Sequence, residues 1–422
     1  MIASANEREI DLFKIKKGQV AITKDSETRD DIGISTYIAD DFQDVILGYH
    51  TALITPNEKL LNGKFLNAFL HTSTAKKHFE NNASGSGQRY TLTNDSISSI
   101  KVPLYDIKTQ EKIGNLFTLI DKKIFNNNKT NKILENLAKT IYDYWFVQYE
   151  FPNKEGKPYK SSGGEMTYSK ELKREIPKDW GISKFLNIAR WISNSQPPKS
   201  EFIYTQREGY VRFIQNRDFE NDNHITYVPY KKSLCTVDNF DILIDKYGDA
   251  GMTRYGIKGV FNVALGKIDV NDKKFLEYVR SFLSSNSIYE YLHNSCMAST
   301  RASLSEENLA SLYISIPQSE IVEKFENIVH KLRTKILFVK EENRKLKDMS
   351  NFLLPLLMNG QVTIKEAEEK VDQSIKEENI TIFPNYDLRF ELWLQNQGLA
   401  ARGDIDRKTL REIFDAMDDN DK

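Results

Sequence analysis

The chain has 422 residues, too many for one ordinary domain and enough for two to four. With 40% apolar and 11% aromatic residues it is not a mostly disordered chain, and 59 Lys+Arg against 60 Asp+Glu leave a net charge of −1 that points to no anionic partner. Two cysteines, Cys235 and Cys296, exclude a disulfide framework, a zinc knuckle and an iron–sulfur site.

The opening residues carry no apolar run of signal-peptide length, and no stretch of about 18 apolar residues occurs, so the expectation is a cytoplasmic protein with no membrane span. Residues 1–105 read as a first globular part, strand-rich, with Val20-Ala-Ile-Thr-Lys24 as one strand. Residues 106–148 form a long helix, with Phe117, Ile120, Ile124, Asn131, Leu134, Ile141 and Trp145 along one seam. A polar linker follows over 149–178, with Pro152, Gly156, Pro158 and Gly163-Gly164. Residues 179–317 form a second mixed part, with strands at Tyr210-Val-Arg-Phe-Ile214 and Asp241-Ile-Leu-Ile244. A second long helix over 318–360 carries Ile321, Phe325, Ile328, Leu332, Ile336, Val339, Asn343, Leu346, Leu353 and Leu357 at spacings of three and four. The tail, 361–422, holds 9 basic and 15 acidic side chains, and two short amphipathic helices are expected around Leu388–Trp393 and Leu410–Met417, folded back on the body or docked on a partner.

The two halves repeat at one constant offset. Arg89-Tyr-Thr-Leu92 falls on Arg301-Ala-Ser-Leu304, Glu111-Lys112 on Glu323-Lys324, Lys123-Ile124 on Lys335-Ile336 and Asn131 on Asn343, without a gap. Val20–Lys24 resembles Ile242–Lys246 at a slightly shifted offset. Two helices of equal length, each with one apolar seam, pair most simply with each other. Asn131 and Asn343 are then either polar residues tolerated near solvent or devices that fix register. Antiparallel pairing requires the globular parts to lie at opposite ends. Two similar modules on a rigid spacer suit a ligand with two separated sites, such as a DNA duplex with a split recognition sequence.

Trp145-Phe-Val-Gln-Tyr-Glu-Phe-Pro152, then Gly156-Lys-Pro-Tyr-Lys-Ser-Ser-Gly-Gly-Glu-Met166, Glu175-Ile-Pro-Lys-Asp-Trp180 and Phe352-Leu-Leu-Pro-Leu-Leu-Met-Asn-Gly-Gln361 resemble the specificity subunits of Type I restriction–modification systems, over about residues 10–362. The resemblance implies an α+β fold: two target-recognition domains, mixed α/β and β-rich, separated by two long helices in an antiparallel coiled coil. It implies a non-catalytic adaptor that reads a bipartite site on double-stranded DNA and recruits a methylation subunit, in two copies, and a restriction subunit. S-adenosylmethionine, ATP and Mg are then expected in those partners, with no cofactor or metal on this chain. The seam residues Ile120, Ile124, Asn131, Leu134, Ile141, Ile328, Leu332, Ile336, Asn343, Leu346 and Leu353 become the partner and spacer surface. One departure stands out. The second half runs all the way from Pro177 to Ile242 before its strand begins, whereas only Met1 to Gln19 stand ahead of the matching Val20, so the first recognition domain is expected to be short at its N-terminal side. An inactive or donor allele, or a chain completed by a partner, follows as an alternative.

Candidate DNA contacts lie on polar loops. Arg212, Gln215, Asn216 and Arg217 sit in Val211–Asp218, and Lys246, Tyr247 and Arg254 in the glycine-containing segment Asp245–Arg254, with Lys24 in the comparable place of the first half. Arg and Lys can donate to guanine O6 and N7, and Asn or Gln can bond adenine N6 and N7. Arg89 and Arg301, each beside small polar residues, form either phosphate clamps or structural turns.

Enzymatic readings find little support. Ser195-Gln-Pro-Pro-Lys199 lacks the polar residue and the aromatic of an amino-methyltransferase motif, and no GxxxxGK[ST] loop or glycine dinucleotide fingerprint occurs. Asp415–Asp421 lacks the glycine and closing glutamate of a calcium loop. A stand-alone DNA-modifying enzyme remains the alternative of a different class.

Overall fold

Short polar side chains set where the helices of the first half begin. Asn6 accepts the Glu9 amide ahead of α1 (Glu7–Phe13). Four strands follow: β1 (Val20–Thr23), β2 (Asp25–Ser26), β3 (Ser35–Tyr37) and β4 (Thr51–Ile54). Asn62 caps α2 (Gly63–Leu70), and Thr72 caps α3 (Ser73–Asn82). Two very short strands, β5 (Ser84–Gly85) and β6 (Tyr90–Thr91), precede α4 (Asn94–Ser98), which Thr93 caps. Asp106 then accepts the Thr109 amide and hydroxyl at 3.0 and 2.6 Å and opens the long helix α5 (Ile107–Tyr142). Those bonds hold the Asp106 carboxyl below the usual carboxylate range. The computed structural model describes residues 5–85, 89–222, 224–297 and 303–376. One compact unit takes the described residues up to Lys129 together with those from Lys340 on, and the other runs from Thr130 to Val339.

In the first unit β1 is the centre of an antiparallel sheet, with β3 on one side and β4 on the other. Val20 and Ile22 of β1 are buried against Phe65, Phe69 and Phe79 of α2 and α3. Gly114 of α5 lies where α2 crosses it: a Cβ there would stand 2.7 Å from the Phe65 backbone nitrogen, so only glycine permits this approach.

After the hairpin β7 (Met166–Ser169) and β8 (Arg174–Pro177), the second unit continues with β9 (Gly181–Lys184), β10 (Ala189–Ile192), β11 (Tyr210–Ile214), β12 (Tyr227–Pro229), β13 (Thr236–Val237), β14 (Ile242–Asp245), β15 (Thr253–Arg254), β16 (Gly259–Phe261) and β17 (Leu265–Val270). Helices α6 (Leu276–Ser284), α7 (Asn286–Met297) and α8 (Glu306–Ala310) lead through β18 (Tyr313–Ile316) into α9 (Ser319–Met358). One four-stranded sheet runs β10-β17-β14-β15 and is antiparallel throughout. A second runs β12-β11-β16-β13, with β11 and β16 parallel. β18 closes the unit by pairing with β9.

The sequence repeat is a structural repeat. β14 pairs antiparallel with β15 and β17 as β1 does with β3 and β4. Thr93 and Ser305 stand immediately before α4 and α8, and α5 and α9 begin at Ile107 and Ser319, both pairs at the offset that carries Arg89 onto Arg301. The strands β9–β13 have no counterpart among the described residues of the first half. There β4 is an edge strand, and Leu104, near the position of β18, is 67% exposed.

Within each unit α5 and α9 run antiparallel. In the first, Tyr105 donates to the Met358 carbonyl at 2.9 Å, and Asn127 donates to Asn343 at 2.8 Å. In the second, Tyr142 and Trp145 pack on Phe325, and Leu134, Ile141, Leu332 and Ile336 are buried with them. Ile120, Leu346 and Leu353 are buried in the first unit. Ile124 and Ile328 are only partly buried, whereas Val322 and Val329 of α9 are at 0% exposure. Asn343 meets Asn127 and Asn128 rather than its repeat mate: it accepts from Asn127 and donates to Asn128 at 2.9 Å, while Asn127 also donates to Glu342 at 2.7 Å. Asn131 is buried too, and its side-chain oxygen has no hydrogen-bond partner. Pro355 sits in the last turn of α9, and Gly360, at φ +68°, ends it. α10 (Ile364–Lys376) follows, opened by reciprocal bonds between Thr363 and Glu366, and it sets Ala367 and Val371 into the first unit's core. The expected helices around 388–417 lie outside the described residues. No helix among the described residues is long and apolar enough to cross a membrane.

Candidate nucleic-acid interface

β11 delivers its polar residues to the edge of the second unit because Phe213 and Ile214 anchor it in the core. The turn after it is held by the Gln215 amide, which donates to Asp218 at 3.1 Å, and by the Gln215 side chain, which donates to Thr226 at 3.1 Å. Burial pushes the Asp218 carboxyl up, against the pull of the Gln215 amide and of Arg212 and Arg217. Arg212 is committed internally: it donates to Asp222 at 2.7 Å, stands 3.9 Å from Asp218, and has a side chain only 19% exposed. Arg217 differs. Its side chain is 52% exposed, and its closest carboxylate, Asp218, is 3.9 Å away.

The neighbouring strand β14 ends at Asp245, which is buried and grips Arg254 through Nε at 3.1 Å and Nη2 at 2.9 Å. Asn216 lies beside the same carboxylate, and the Arg254 guanidinium stands over the Phe219 ring at 5.6 Å. The structure thus joins the two sequence clusters, Arg212–Arg217 and Lys246–Arg254, through Asp245. Lys246 lies over the Trp191 ring at 5.8 Å, and Tyr247 is exposed.

The backbone around Lys246 is duplicated around Lys24. The Lys246 amide donates to Ala264 at 2.8 Å and its carbonyl accepts from Leu304 at 2.9 Å. The Lys24 amide donates to His50 at 2.8 Å and its carbonyl accepts from Leu92 at 2.9 Å. The residue just ahead of that returning segment in the first half, Arg89, sets its Nη2 against the His50 ring nitrogens, and His50 lies 3.5 Å from Asp25. A Thr91 hydroxyl bond is the main cause of a lowered Asp25 carboxyl. Arg301, the matching residue of the second half, lies outside the described residues.

Composition alone did not single out the side chains that the fold leaves open beside this turn. Tyr204 is 73% exposed and Tyr230 53% exposed. With Gln206, Asp222, His224 and Tyr227, Tyr204 lines a cleft of about 410 Å³ next to β11. The usable signal was Tyr204 with Gln206-Arg207 in a polar loop bounded by Pro197-Pro198 and Gly209. Planar faces beside cationic and amide groups can stack on bases and bond their edges.

One acidic cluster lies apart from these loops. Glu277, Glu326 and His330 bring their ligand atoms within 4.8 Å of one another. Glu277 is already occupied by Arg280 at 2.9 Å and by Arg333 at 3.5 Å, so two guanidiniums stand where a cation's charge would have to go. Burial pushes the Glu326 carboxyl up to about 8. A raised carboxyl favours the fold in its protonated form, so its stabilising contribution is complete below the ordinary value of 4.5 and is lost as pH rises toward 8. The unfolding midpoint of the second unit is therefore expected to fall between pH 5 and 8 in part through this group. Glu326→Gln should flatten that slope in melts across the range, and an unchanged slope would remove Glu326 from the pH response.

The family model for the Type I restriction modification DNA specificity domain matches residues 4–136 and 177–348. The chain is 25% identical over 332 residues to the type I restriction enzyme MjaIX specificity subunit of Methanocaldococcus jannaschii, covering 74% of this chain and 72% of that one. It is 24% identical over 415 residues to the HindI specificity subunit of Haemophilus influenzae, covering 82% and 87%. A crystal structure of the Type I restriction–modification S subunit from M. genitalium matches the fold with a TM-score of 0.54 at 13% identity, over 82% of this chain and 84% of that one.

Proposed function

The chain belongs to the Type I restriction–modification DNA specificity family, and from that premise we propose that it reads a two-part DNA sequence and recruits the subunits that act on it. The observation that carries this reading is the duplication. Two copies of one strand–helix arrangement, with matching backbone bonds around Lys24 and Lys246, each lead into one of two long helices. Each copy reads one half-site, and the paired helices hold the unread gap. The methylation and restriction subunits bring S-adenosylmethionine, ATP and Mg, and this chain brings sequence choice. A test is to co-express the chain with its methylation subunit and assay each alone and together. Stable co-elution, with methylation only in the assembled complex, is expected. Methylation or cleavage of DNA by this chain alone would favour the stand-alone enzyme.

A second reading has its own support in the first half, where the edge of β4 is open and Leu104 is exposed. If that half no longer reads DNA, the chain is an inactive or donor allele, and a soluble complex would form without methylating.

Base readers in the second domain are the exposed groups, Arg217 and Tyr247, with Tyr204 in the cleft next to β11. Arg217→Ala should weaken specific binding by about 1–3 kcal/mol and relax one base position, read by titrating the assembled complex with single-position variants of its site. A loss equal on every sequence would make Arg217 a phosphate contact instead.

A further inference from the structure

We propose that Arg333 is the positioning residue that locks the second recognition domain onto the helix pair in one orientation, an inference that rests on the DNA-reading role above. Arg333 lies on α9 and is 6% exposed. It contacts three other segments. Its Nη1 donates to Glu135 of α5 and, at 3.1 Å, to the Tyr255 hydroxyl, which follows β15. Its Nε stands 3.5 Å from Glu277 of α6, an ion pair without a hydrogen bond. The Tyr255 hydroxyl donates in turn to Glu135.

The domain side of this junction is itself tied down. Arg280 of α6 donates to both oxygens of Glu277, at 2.9 and 3.2 Å, and to the Phe240 carbonyl at 2.6 Å. The Arg280 and Arg333 guanidiniums lie over the Tyr255 ring at 4.7 and 5.0 Å. On the α9 side, Glu326 accepts the Glu277 amide at 2.8 Å, and His330 packs on Phe240 with ring centroids 4.5 Å apart. Arg280 and Arg333 are thus matched by Glu135 and Glu277.

The chemistry explains why such a junction fixes an angle. An apolar interface tolerates small slides, because burial energy has no direction. A planar guanidinium that donates to one carboxylate and a phenol while its charge faces a second carboxylate meets all three in a narrow range of orientations. A buried network of this kind is weak evidence for stability, since apolar replacements of similar volume are often neutral. Its contribution is orientation, and orientation is what a reader of two half-sites at a set spacing needs.

The experiment assembles the chain with its methylation subunit and measures methylation rates on duplexes with the native gap and with the gap changed by one base pair. Thermal midpoints are recorded alongside. Arg333→Met is expected to lose about 10–100-fold in rate on the native duplex, with the preference between gap lengths narrowed. Arg333→Lys should recover only part of the rate, because an ammonium cannot reproduce the fork. Tyr255→Phe keeps the ring and removes the hydroxyl link, so it should shift the gap preference in the same direction at an unchanged midpoint. It carries the test if Arg333→Met does not fold. Folded Arg333→Lys and Tyr255→Phe complexes with wild-type rates and gap preference would overturn the proposal. A wild-type complex that methylates without any gap preference would overturn the split-site reading beneath it.

Discussion

Phe325→Ala is expected to destabilise the second unit by about 3–5 kcal/mol, read as a fall in the midpoint of its denaturant-induced unfolding. Phe325 is fully buried on α9. Tyr142, Trp145 and Phe146 surround it with ring centroids at 6.2, 6.0 and 4.9 Å, and Phe146 in turn packs on Tyr278 of α6 at 4.6 Å and on Trp180 at 5.8 Å. Removing the ring leaves a cavity among side chains that are themselves held by the linker, α6 and the end of α5. They cannot collapse into it without breaking those other contacts. Phe125→Ala is the control. Phe125 is 68% exposed on the part of α5 that belongs to the first unit, and its loss should change the second unit's stability by less than about 0.5 kcal/mol. Equal effects at the two positions would mean that the aromatic knot is not what joins the helices in this unit.

The second large effect concerns the gap between half-sites. Seven residues inserted after Lys129 in α5 and after Val339 in α9 add two turns to each helix and preserve the buried rows on both sides. The added length is about 10 Å, or about three base pairs at roughly 3.4 Å per step. The expected result is loss of methylation at the original motif and its appearance at the same two half-sites with a gap about three base pairs longer. Changed half-site sequences with an unchanged gap would contradict a spacer role for the helices. The polar register residues should keep their partners in such a variant, because Asn127, Asn128, Glu342 and Asn343 all lie on one side of the insertion points.

Much of this architecture was legible in the sequence because the repeat is local and periodic. The constant offset that carries Arg89 onto Arg301 also carries Thr93 onto Ser305 and the first residue of α5 onto that of α9. The apolar rows identified most buried residues of α9 and a smaller share of those of α5. They missed Val322 and Val329 on α9, and Ile113, Leu116, Leu137 and Tyr142 on α5 among others, because a row extended by fixed steps of three and four drifts around a helix of 3.6 residues per turn. Asn343 was visible as a polar seam residue, but its partner was not: Asn127 is 216 positions away and sits outside the repeat correspondence. The charged residues were the least legible. Arg212, Arg217 and Arg254 look alike in a loop sequence, yet two are engaged by Asp222 and Asp245 while Arg217 is half exposed. The Arg333 network was invisible for the same reason at longer range, since it joins residues 78 and 198 positions apart. Periodicity reports which face is buried, whereas a salt bridge depends on where distant chain segments come to lie.

Split-site reading is tested most directly by single-molecule sequencing for N6-methyladenine in cells that express this chain with its methylation subunit. Methylation is expected at a motif of two specified blocks separated by an unspecified gap of constant length, absent from cells that lack the chain. A single contiguous motif, or a soluble complex that leaves the DNA unmethylated, would contradict that reading.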